Sequence, residues 1–320
     1  MGSDFRWFAD GTGREQRPGP MSRLFLICAA LFALSGCVSG NLAAGSLIRP
    51  MRVPVVGSPP LAHEGFEVTT PDGIALDGWH FTPKQAPKGV LVFVHGKDIN
   101  RQHFVGAAQR FVDEGFAVVA FDQRAHGRST GEFVTYGAKE VGDLQLIIDV
   151  ALAKWGRALP VVVVGESLGA AVALQTAAVD PRIRVVVAGA AFADLTTVVD
   201  DHAPRLLGAK GKADAVRAAQ DAAHFVVADI SPARAAQQIT VPTLLLHGSE
   251  DQFLPLKHSL RIYEQLAGPK ELVRLEGVDH IGILLSDAAW DQIDRFIAAS
   301  LSPAADTRTP AAEAAQASTR

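Results

Sequence analysis

Five residues, Gly165-Glu166-Ser167-Leu168-Gly169, combine a nucleophilic side chain with a backbone pattern that could activate it. They follow four valines at residues 161–164 and precede a run of small and apolar residues at 170–174. This order predicts a buried strand, a sharp turn with Ser167 at its apex, and a helix. The two glycines leave room for the turn, and the helix N-terminus favours negative charge that develops beside the serine. The alternative is an ordinary strand-to-helix turn that does no chemistry.

A serine hydroxyl is a weak nucleophile and needs a neighbouring base, which is usually a histidine oriented by a carboxylate. When a serine sits on such a turn, the expected chain order is serine, then aspartate or glutamate, then histidine. Asp251 follows the predicted strand 243–246, and His280 follows the predicted strand 272–275. The chain therefore predicts a catalytic triad of Ser167, Asp251 and His280.

The sequence alone leaves other residues open as the acid of the triad, and it leaves structural roles open for Asp251 and His280. Glu250 stands next to Asp251 and could be the acid, as could Asp194, which follows the sixth predicted strand. Asp251 could instead be a carboxylate on a surface loop, and His280 could be a loop histidine with a structural role.

Short apolar runs alternate with helical patterns through the middle of the chain. The first two runs flank Pro71-Asp72-Gly73 and predict a β-hairpin, because Asp-Gly favours a tight turn. The predicted strands lie at residues 66–70, 74–81, 90–94, 116–121, 161–164, 185–187, 243–246 and 272–275. Most are apolar on both faces, which is typical of a parallel sheet covered by helices. We therefore predict an α/β fold with a doubly wound, mostly parallel sheet.

The connection after the sixth predicted strand, residues 191–239, is long and has no strand pattern. A helical pattern runs over residues 213–227 within it. We predict a small helical cap here, above the carboxyl ends of the strands, where it would exclude water and shape a pocket. Its apolar residues could contact an acyl group or simply pack the cap onto the sheet. They include Leu206, Leu207, Phe225, Val226 and Val227.

The N-terminal part of the chain predicts an export signal. Residues 24–34 are apolar and follow one arginine, but they are too few to span a bilayer, which takes about 20 residues. Leu34-Ser35-Gly36-Cys37 resembles a bacterial lipobox, in which the cysteine is lipidated. We therefore expect residues 21–36 to be a lipoprotein signal peptide and residues 1–20 to be a spurious extension before a start at Met21. A plain signal peptide or a buried helix is the alternative.

A lipidated Cys37 would anchor the protein to a membrane of the bacterial cell envelope, on its periplasmic or extracellular face. Residues 37–63 would then contain the lipidated residue and a tether rich in Gly, Ser and Pro, and residues 303–320 would be a disordered tail. Removal of Cys28 with the signal peptide would leave no disulfide and no catalytic thiol.

Composition narrows the class of protein. Of 320 residues, 48% are apolar and 20% are charged, which excludes disorder of the whole chain. The net charge is −4 and no basic block stands out, so nucleic-acid binding has no electrostatic support. The sequence contains no HExxH, CxxC or P-loop pattern, and we expect neither a metal nor a cofactor.

Residues 64–300 resemble serine hydrolases of the α/β-hydrolase superfamily, in the branch of monoglyceride lipases, serine aminopeptidases and related esterases. Besides the serine turn, residues 121–129 are similar to the Asp-x-Arg-Gly-x-Gly-x-Ser segment of that branch, with Ala125 in place of the usual glycine. The segment from Val241-Pro242 to Pro255 is similar as well. The resemblance implies an α/β-hydrolase domain over residues 64–302, with the cap at about 191–239.

The resemblance also implies an oxyanion hole made by the backbone N–H groups of Leu168 and Lys97. His95 and His126 are expected to brace the surrounding loops. The implied reaction is hydrolysis of carboxylic esters, including lipid or acylglycerol esters, through an acyl-enzyme. An amidase or peptidase with the same triad is the enzymatic alternative, and a non-catalytic binding lipoprotein of the envelope is the other.

Overall fold

A computed structural model of the protein describes residues 40–302. The strands are β1 (Glu64–Thr69), β2 (Ala75–Phe81), β3 (Val90–Val94), β4 (Ala117–Phe121), β5 (Val161–Glu166), β6 (Ile183–Gly189), β7 (Thr243–Gly248) and β8 (Lys270–Leu275). The helices are α1 (Gly40–Ile48), α2 (Val105–Asp113), α3 (Glu140–Trp155), α4 (Leu168–Ala177), α5 (Leu195–His202), α6 (Gly208–Ala223), α7 (Pro232–Ala236), α8 (Lys257–Gln265) and α9 (Asp287–Ser300). Short 3₁₀ helices lie at Arg101–Phe104, Arg205–Leu207, Val227–Asp229 and Ile283–Leu285.

The eight strands form one sheet in the order β1-β2-β4-β3-β5-β6-β7-β8. The predicted hairpin around Asp72-Gly73 pairs β1 with β2, and β2 also runs antiparallel to β4. The other neighbours pair in parallel. Parallel strands place their carboxyl ends along one edge, so the loops that follow β3, β5, β7 and β8 meet there.

Both faces of the central strands are buried. In β3, Val90, Val92 and Val94 face one apolar cluster, whereas Leu91 and Phe93 face the other. This alternation follows from the two-residue period of a strand, and helices cover each side. The predicted doubly wound, mostly parallel α/β sheet is confirmed.

The long connection between β6 and β7 contains α5, α6 and α7 and no strand. The helix predicted at 213–227 is α6, which begins and ends four to five residues earlier than its apolar pattern indicates. Phe225 and Val227 lie buried after its C-terminus, in the same apolar cluster as Ile230. Their burial favours the interpretation that they pack this insertion onto the sheet.

The N-terminal segment differs from the low-order tether predicted within residues 37–63. From Gly40 onward it is ordered, because α1 places Ala44 and Ile48 in the main core and Tyr136 Oη donates to Leu47 O at 2.6 Å. Its glycines and serines suggest flexibility, but its apolar side chains find a partner surface on α6 and on the loop before α3.

Several predictions fall outside the described residues. These are the extension 1–20, the signal peptide 21–36, the lipidation site Cys37 and the tail 303–320. Within residues 40–302, no helix has the length and apolar character needed to cross a bilayer.

Replacing Ile48 by alanine tests whether α1 is part of the core. Ile48 is 1% exposed, and loss of its buried side chain should lower the free energy of unfolding by about 2–4 kcal/mol. The matched control is Leu42→Ala on the same helix, because Leu42 is 54% exposed and its loss should change stability little. Urea denaturation of both variants makes the comparison, and equal effects would contradict the docking of α1.

His80 gives the fold a defined pH dependence. Burial in β2, reinforced by the charge of Lys154, lowers the pKa of His80 to about 4, and its ring stacks on Phe66 at 4.2 Å. An unfolded histidine binds its proton near pH 6.5, so the unfolded state gains protons first as the pH falls. Stability should therefore decrease from about pH 6.5 toward pH 4. Urea denaturation at pH 7 and at pH 5 should show that the free energy of unfolding falls less between these pH values in His80→Phe than in the wild type.

Candidate active site

Ser167 occupies the sharp turn between β5 and α4. Its backbone angles are φ 53° and ψ −114°, which an L-residue adopts only under strain. The Ser167 N–H donates to Gly189 O at 2.8 Å and thereby holds the turn against the neighbouring strand β6. Helix α4 begins at the next residue, Leu168, so the serine lies at the helix N-terminus.

The glycines of this turn are required by space. A Cβ atom on Gly165 would lie 2.4 Å from Gly169 O, and one on Gly169 would lie 1.9 Å from Val94 O. Such distances are impossible for real atoms, so any side chain at either position must displace backbone. The first turn of α4 therefore packs directly against the end of β3.

A hydrogen-bonded relay connects three of the predicted residues. His280 Nε2 lies 3.0 Å from Ser167 Oγ, and His280 Nδ1 lies 2.7 Å from Asp251 Oδ2. Asp251 comes from the loop after β7 and His280 from the loop after β8, as the sequence predicts. The parallel sheet brings the three loops together because all of them follow carboxyl ends of strands.

Asp251 is held as a carboxylate. Its burial by itself raises the pKa, but the hydrogen bond from His280 and the N–H of Leu254 outweigh burial and lower the pKa of Asp251 below its ordinary value. Its second oxygen accepts from the N–H groups of Phe253 and Leu254 at 3.0 and 2.8 Å. Because an ionised carboxylate can only accept, His280 must carry its proton on Nδ1. Nε2 is then the acceptor that faces the Ser167 hydroxyl.

The alternative acids have other partners. Asp194 accepts from Ser231 Oγ at 2.6 Å and pairs with Arg261 at 2.6 Å. Glu250 is exposed, and within residues 40–302 neither of these two carboxylates contacts His280. His247 is buried, and its Nε2 lies 2.9 Å from Leu254 O, so it supports the Asp251 loop.

The loop after β3 lies against the serine turn. A Cβ on Gly96 would touch Ser167 Cβ at 3.5 Å. The N–H of Gln123 donates to His95 Nε2 at 3.0 Å, so the proton of His95 is on Nδ1, which donates to Gly96 O at 2.7 Å. That bond fixes the peptide unit between Gly96 and Lys97. No acceptor for the N–H of Lys97 or of Leu168 is found among the described residues.

His126 braces the next peptide in the same way. The N–H of Asp98 donates to His126 Nε2 at 3.2 Å, and His126 Nδ1 therefore donates to Arg124 O at 3.0 Å. Burial lowers the pKa of His126 to about 2 and also lowers the pKa of His95, so both rings stay neutral. Ala125 adopts a left-handed φ of 66°, a region that favours glycine.

Sequence reasoning missed a second pair next to Ser167. Glu166 is buried, and its Oε2 lies 2.9 Å from His103 Nε2 on the 3₁₀ helix Arg101–Phe104. A glutamate at the end of an otherwise valine-rich buried strand is the signal that points to such a partner.

Exposed apolar side chains lie beside His280 in space or follow it in the chain. The ring of Phe253 lies 5.0 Å from the His280 ring and stacks on His202 of α5 at 4.5 Å. Phe253 is 46% exposed, Ile281 55% and Leu285 64%. Exposed apolar groups in one region usually mark a binding surface, which makes this one a candidate for contact with an apolar ligand.

No group of three or more metal-binding side chains in the described part of the chain is arranged to hold an ion. Both cysteines lie outside that part. Serine, histidine, aspartate and two backbone amides form the polar groups of the candidate site, a set that supports acyl transfer.

Comparison with known proteins agrees with this architecture. Residues 85–220 match the family model described as serine aminopeptidase, S33. The esterase Pf2001 of Pyrococcus furiosus superimposes with a TM-score of 0.63 at 22% identity, covering 78% of this chain and 98% of that one. This chain has the α/β-hydrolase fold.

Two sequence relatives extend the comparison. The chain is 28% identical to the monoacylglycerol lipase of Mycolicibacterium smegmatis over 61% of its own length and 80% of that protein's. It is 26% identical to the uncharacterized protein YqkD of Bacillus subtilis over 67% of its own length and 72% of that protein's. These similarities agree with the α/β-hydrolase fold of the chain.

Replacing Gly169 by alanine tests the packing of the turn. Because the new Cβ would overlap Val94 O, we expect a loss of at least about 3 kcal/mol in the free energy of unfolding. Gly142→Ala in α3 is the control, since nothing lies within 4 Å of its Cβ position and alanine favours a helix by up to about 1 kcal/mol. Denaturant unfolding should show a lower free energy of unfolding for Gly169→Ala and a higher one for Gly142→Ala. Similar changes in both variants would contradict the assigned contact.

Proposed function

We propose that the protein is a serine hydrolase that cleaves carboxylic esters. The observation that carries the proposal is the relay from Asp251 through His280 to Ser167, with distances of 2.7 and 3.0 Å. The buried carboxylate keeps the His280 proton on Nδ1, and this tautomer leaves Nε2 able to accept the proton of Ser167. The monoacylglycerol lipase among the relatives supports an ester as the bond cleaved.

The reaction follows from these roles. His280 Nε2 accepts the hydroxyl proton as Ser167 Oγ attacks the carbonyl carbon, and Asp251 stabilises the imidazolium that forms. We assign the N–H groups of Leu168 and Lys97 as donors to the oxyanion. The assignment is supported by three observations: Leu168 directly follows Ser167, Gly96 lies against Ser167, and neither N–H has an acceptor among residues 40–302. His280 then returns the proton to the departing alcohol, and water hydrolyses the acyl-enzyme by the same steps in reverse.

The exposed apolar groups beside His280 favour an ester with an apolar chain. Each methylene that a substrate buries against them contributes about 0.8 kcal/mol. Phe253 is the best placed of these groups, because its ring touches the catalytic imidazole on one side and solvent on the other.

Hydrolysis of p-nitrophenyl acetate, butyrate and octanoate tests the reaction. Ser167→Ala should reduce kcat by about 10⁴-fold or more, and Asp251→Asn by about 10⁴-fold because His280 loses its correct tautomer. Glu250→Gln is the control for the neighbouring acid and should retain wild-type kcat, since Glu250 is exposed and away from His280. Undiminished turnover in Ser167→Ala would contradict the proposal.

The chain-length preference has its own test. Phe253→Ala should lower kcat/KM for octanoate about tenfold relative to acetate, because the longer chain has more methylenes to bury against the ring. Leu260→Ala removes another exposed apolar side chain, on α8, and should leave that ratio unchanged. Equal effects of Phe253→Ala on both esters would contradict an apolar contact at this position.

An amide substrate is the second candidate, and the family description of a serine aminopeptidase favours it. The same relay can protonate an amine leaving group, so the triad does not discriminate between the two bonds. Aminoacyl p-nitroanilides assayed beside the esters decide between them: a higher kcat/KM for the anilides would make the protein an amidase.

We also propose that the protein is lipidated at Cys37 and held on a membrane of the bacterial cell envelope. The proposal is supported by the apolar run before Leu34-Ser35-Gly36-Cys37. Metabolic labelling with an alkyne fatty acid should mark the wild type and not Cys37→Ser, and the label should map to a mature N-terminus at Cys37. Absence of label, with an N-terminus elsewhere, would contradict the proposal.

A further inference from the structure

The chain between α1 and β1 runs beside the loop that carries Lys97. Residues 49–56 are named here the N-terminal strap, and residues 96–104 the Lys97 loop. The first link between them is a hydrogen bond from the N–H of Met51 to Asp98 Oδ1, at 2.6 Å. Lys97 Nζ lies 3.3 Å from the other oxygen of the same carboxylate.

Further links continue along the strap in register. Asn100 Nδ2 donates to Val53 O at 3.1 Å and to Pro54 O at 3.3 Å. Gln102 exchanges two bonds with the backbone of Val56, accepting from its N–H at 2.9 Å and donating to its carbonyl at 2.7 Å. Three successive even-numbered side chains of the loop are thus bonded to the main chain of the strap.

The opposite side of the Lys97 loop is bonded to buried groups. The N–H of Asp98 donates to His126 Nε2, and the N–H of Arg101 donates to the buried Asp122 at 2.9 Å. His103 contacts Glu166, the residue before Ser167. The loop therefore lies between the strap on its outer side and the serine turn on its inner side.

Asp98 is the residue where the two sides meet. Its φ is 66°, in the left-handed region, which is unfavourable for a residue with a side chain. Such a conformation persists when surrounding bonds determine it. Here the N–H of Asp98 is held by His126 and its carboxylate by the N–H of Met51. The peptide unit that ends at the Asp98 N–H directly follows the Gly96–Lys97 peptide, which carries the proposed oxyanion donor.

We propose that the N-terminal strap positions the Lys97 loop for transition-state stabilisation, with Asp98 as the positioning residue. An oxyanion donor must be held within a fraction of an ångström, whereas a loop bonded on one side only is free to move. The strap supplies the hydrogen bonds on the second side of the loop. This inference rests on the proposed function, because it assigns a role to residues outside the triad in the same reaction.

Asp98→Gly breaks the link and keeps the left-handed backbone, since glycine adopts positive φ without strain. We expect kcat for p-nitrophenyl butyrate to fall about tenfold, with KM within about twofold of the wild type, because the oxyanion bond forms fully only in the transition state. The Ki of an alkylboronic acid, which forms a tetrahedral adduct, should rise by the same factor. A purely structural role would not link these two changes.

Two variants identify the bond responsible. Asp98→Asn should restore kcat to within about threefold, because an amide oxygen can accept from Met51 and asparagine tolerates positive φ. Gln102→Leu cuts a separate link and should lower kcat without raising KM. Arg49→Gln is the control, since Arg49 lies in the strap but pairs with Glu132 and Phe133 outside the Lys97 loop. It should retain wild-type kinetics.

The outcomes separate this inference from the proposed function. If the wild type turns over ester and both Asp98→Gly and Gln102→Leu have the same kcat as the wild type, the strap inference alone is overturned. A loss in Asp98→Asn as large as in Asp98→Gly would overturn it as well, because the charge beside Lys97 and not the strap bond would then matter. Absence of turnover and of serine labelling in the wild type would instead overturn the proposed function.

Discussion

The close approach of α4 to the end of β3 is the constraint on which the rest of the site depends. No atom larger than hydrogen fits between Gly169 and the Val94 carbonyl, so the turn at Ser167 and the loop after β3 touch. This contact places the strained serine beside the Gly96-Lys97 peptide. One steric requirement therefore determines the position of both the proposed nucleophile and the proposed backbone donors next to it.

Hydrogen-bond partners then give each histidine near the site a single tautomer. Backbone N–H groups donate to Nε2 of His95 and His126. The Nδ1–H of each ring therefore donates to a backbone carbonyl. Their burial lowers the pKa of both rings and keeps them neutral, so they position peptides. In His280 the Nδ1–H donates to the carboxylate of Asp251, and Nε2 is left facing Ser167. The same rule of proton placement thus makes His95 and His126 braces and His280 the proposed base.

Much of this arrangement is predictable from sequence because it depends on local patterns. Apolar runs indicate the strands within a few residues, and the order of Ser167, Asp251 and His280 after three of them indicates which loops must meet. The ordered N-terminal segment was not predictable, since burial of Ala44 and Ile48 depends on distant residues that offer a surface. The exposure of Phe253 beside His280 and the contact between His103 and Glu166 likewise depend on how separate loops pack.

The measurement that tests the central claim most directly is mass spectrometry of the protein after reaction with an alkyl fluorophosphonate, which traps a serine activated by a histidine. The account predicts one adduct, on the peptide that contains Ser167, which is absent from Ser167→Ala and forms far more slowly in His280→Ala. Both variants should have circular dichroism spectra like that of the wild type. An unmodified wild type, or an adduct on another residue, would contradict the account.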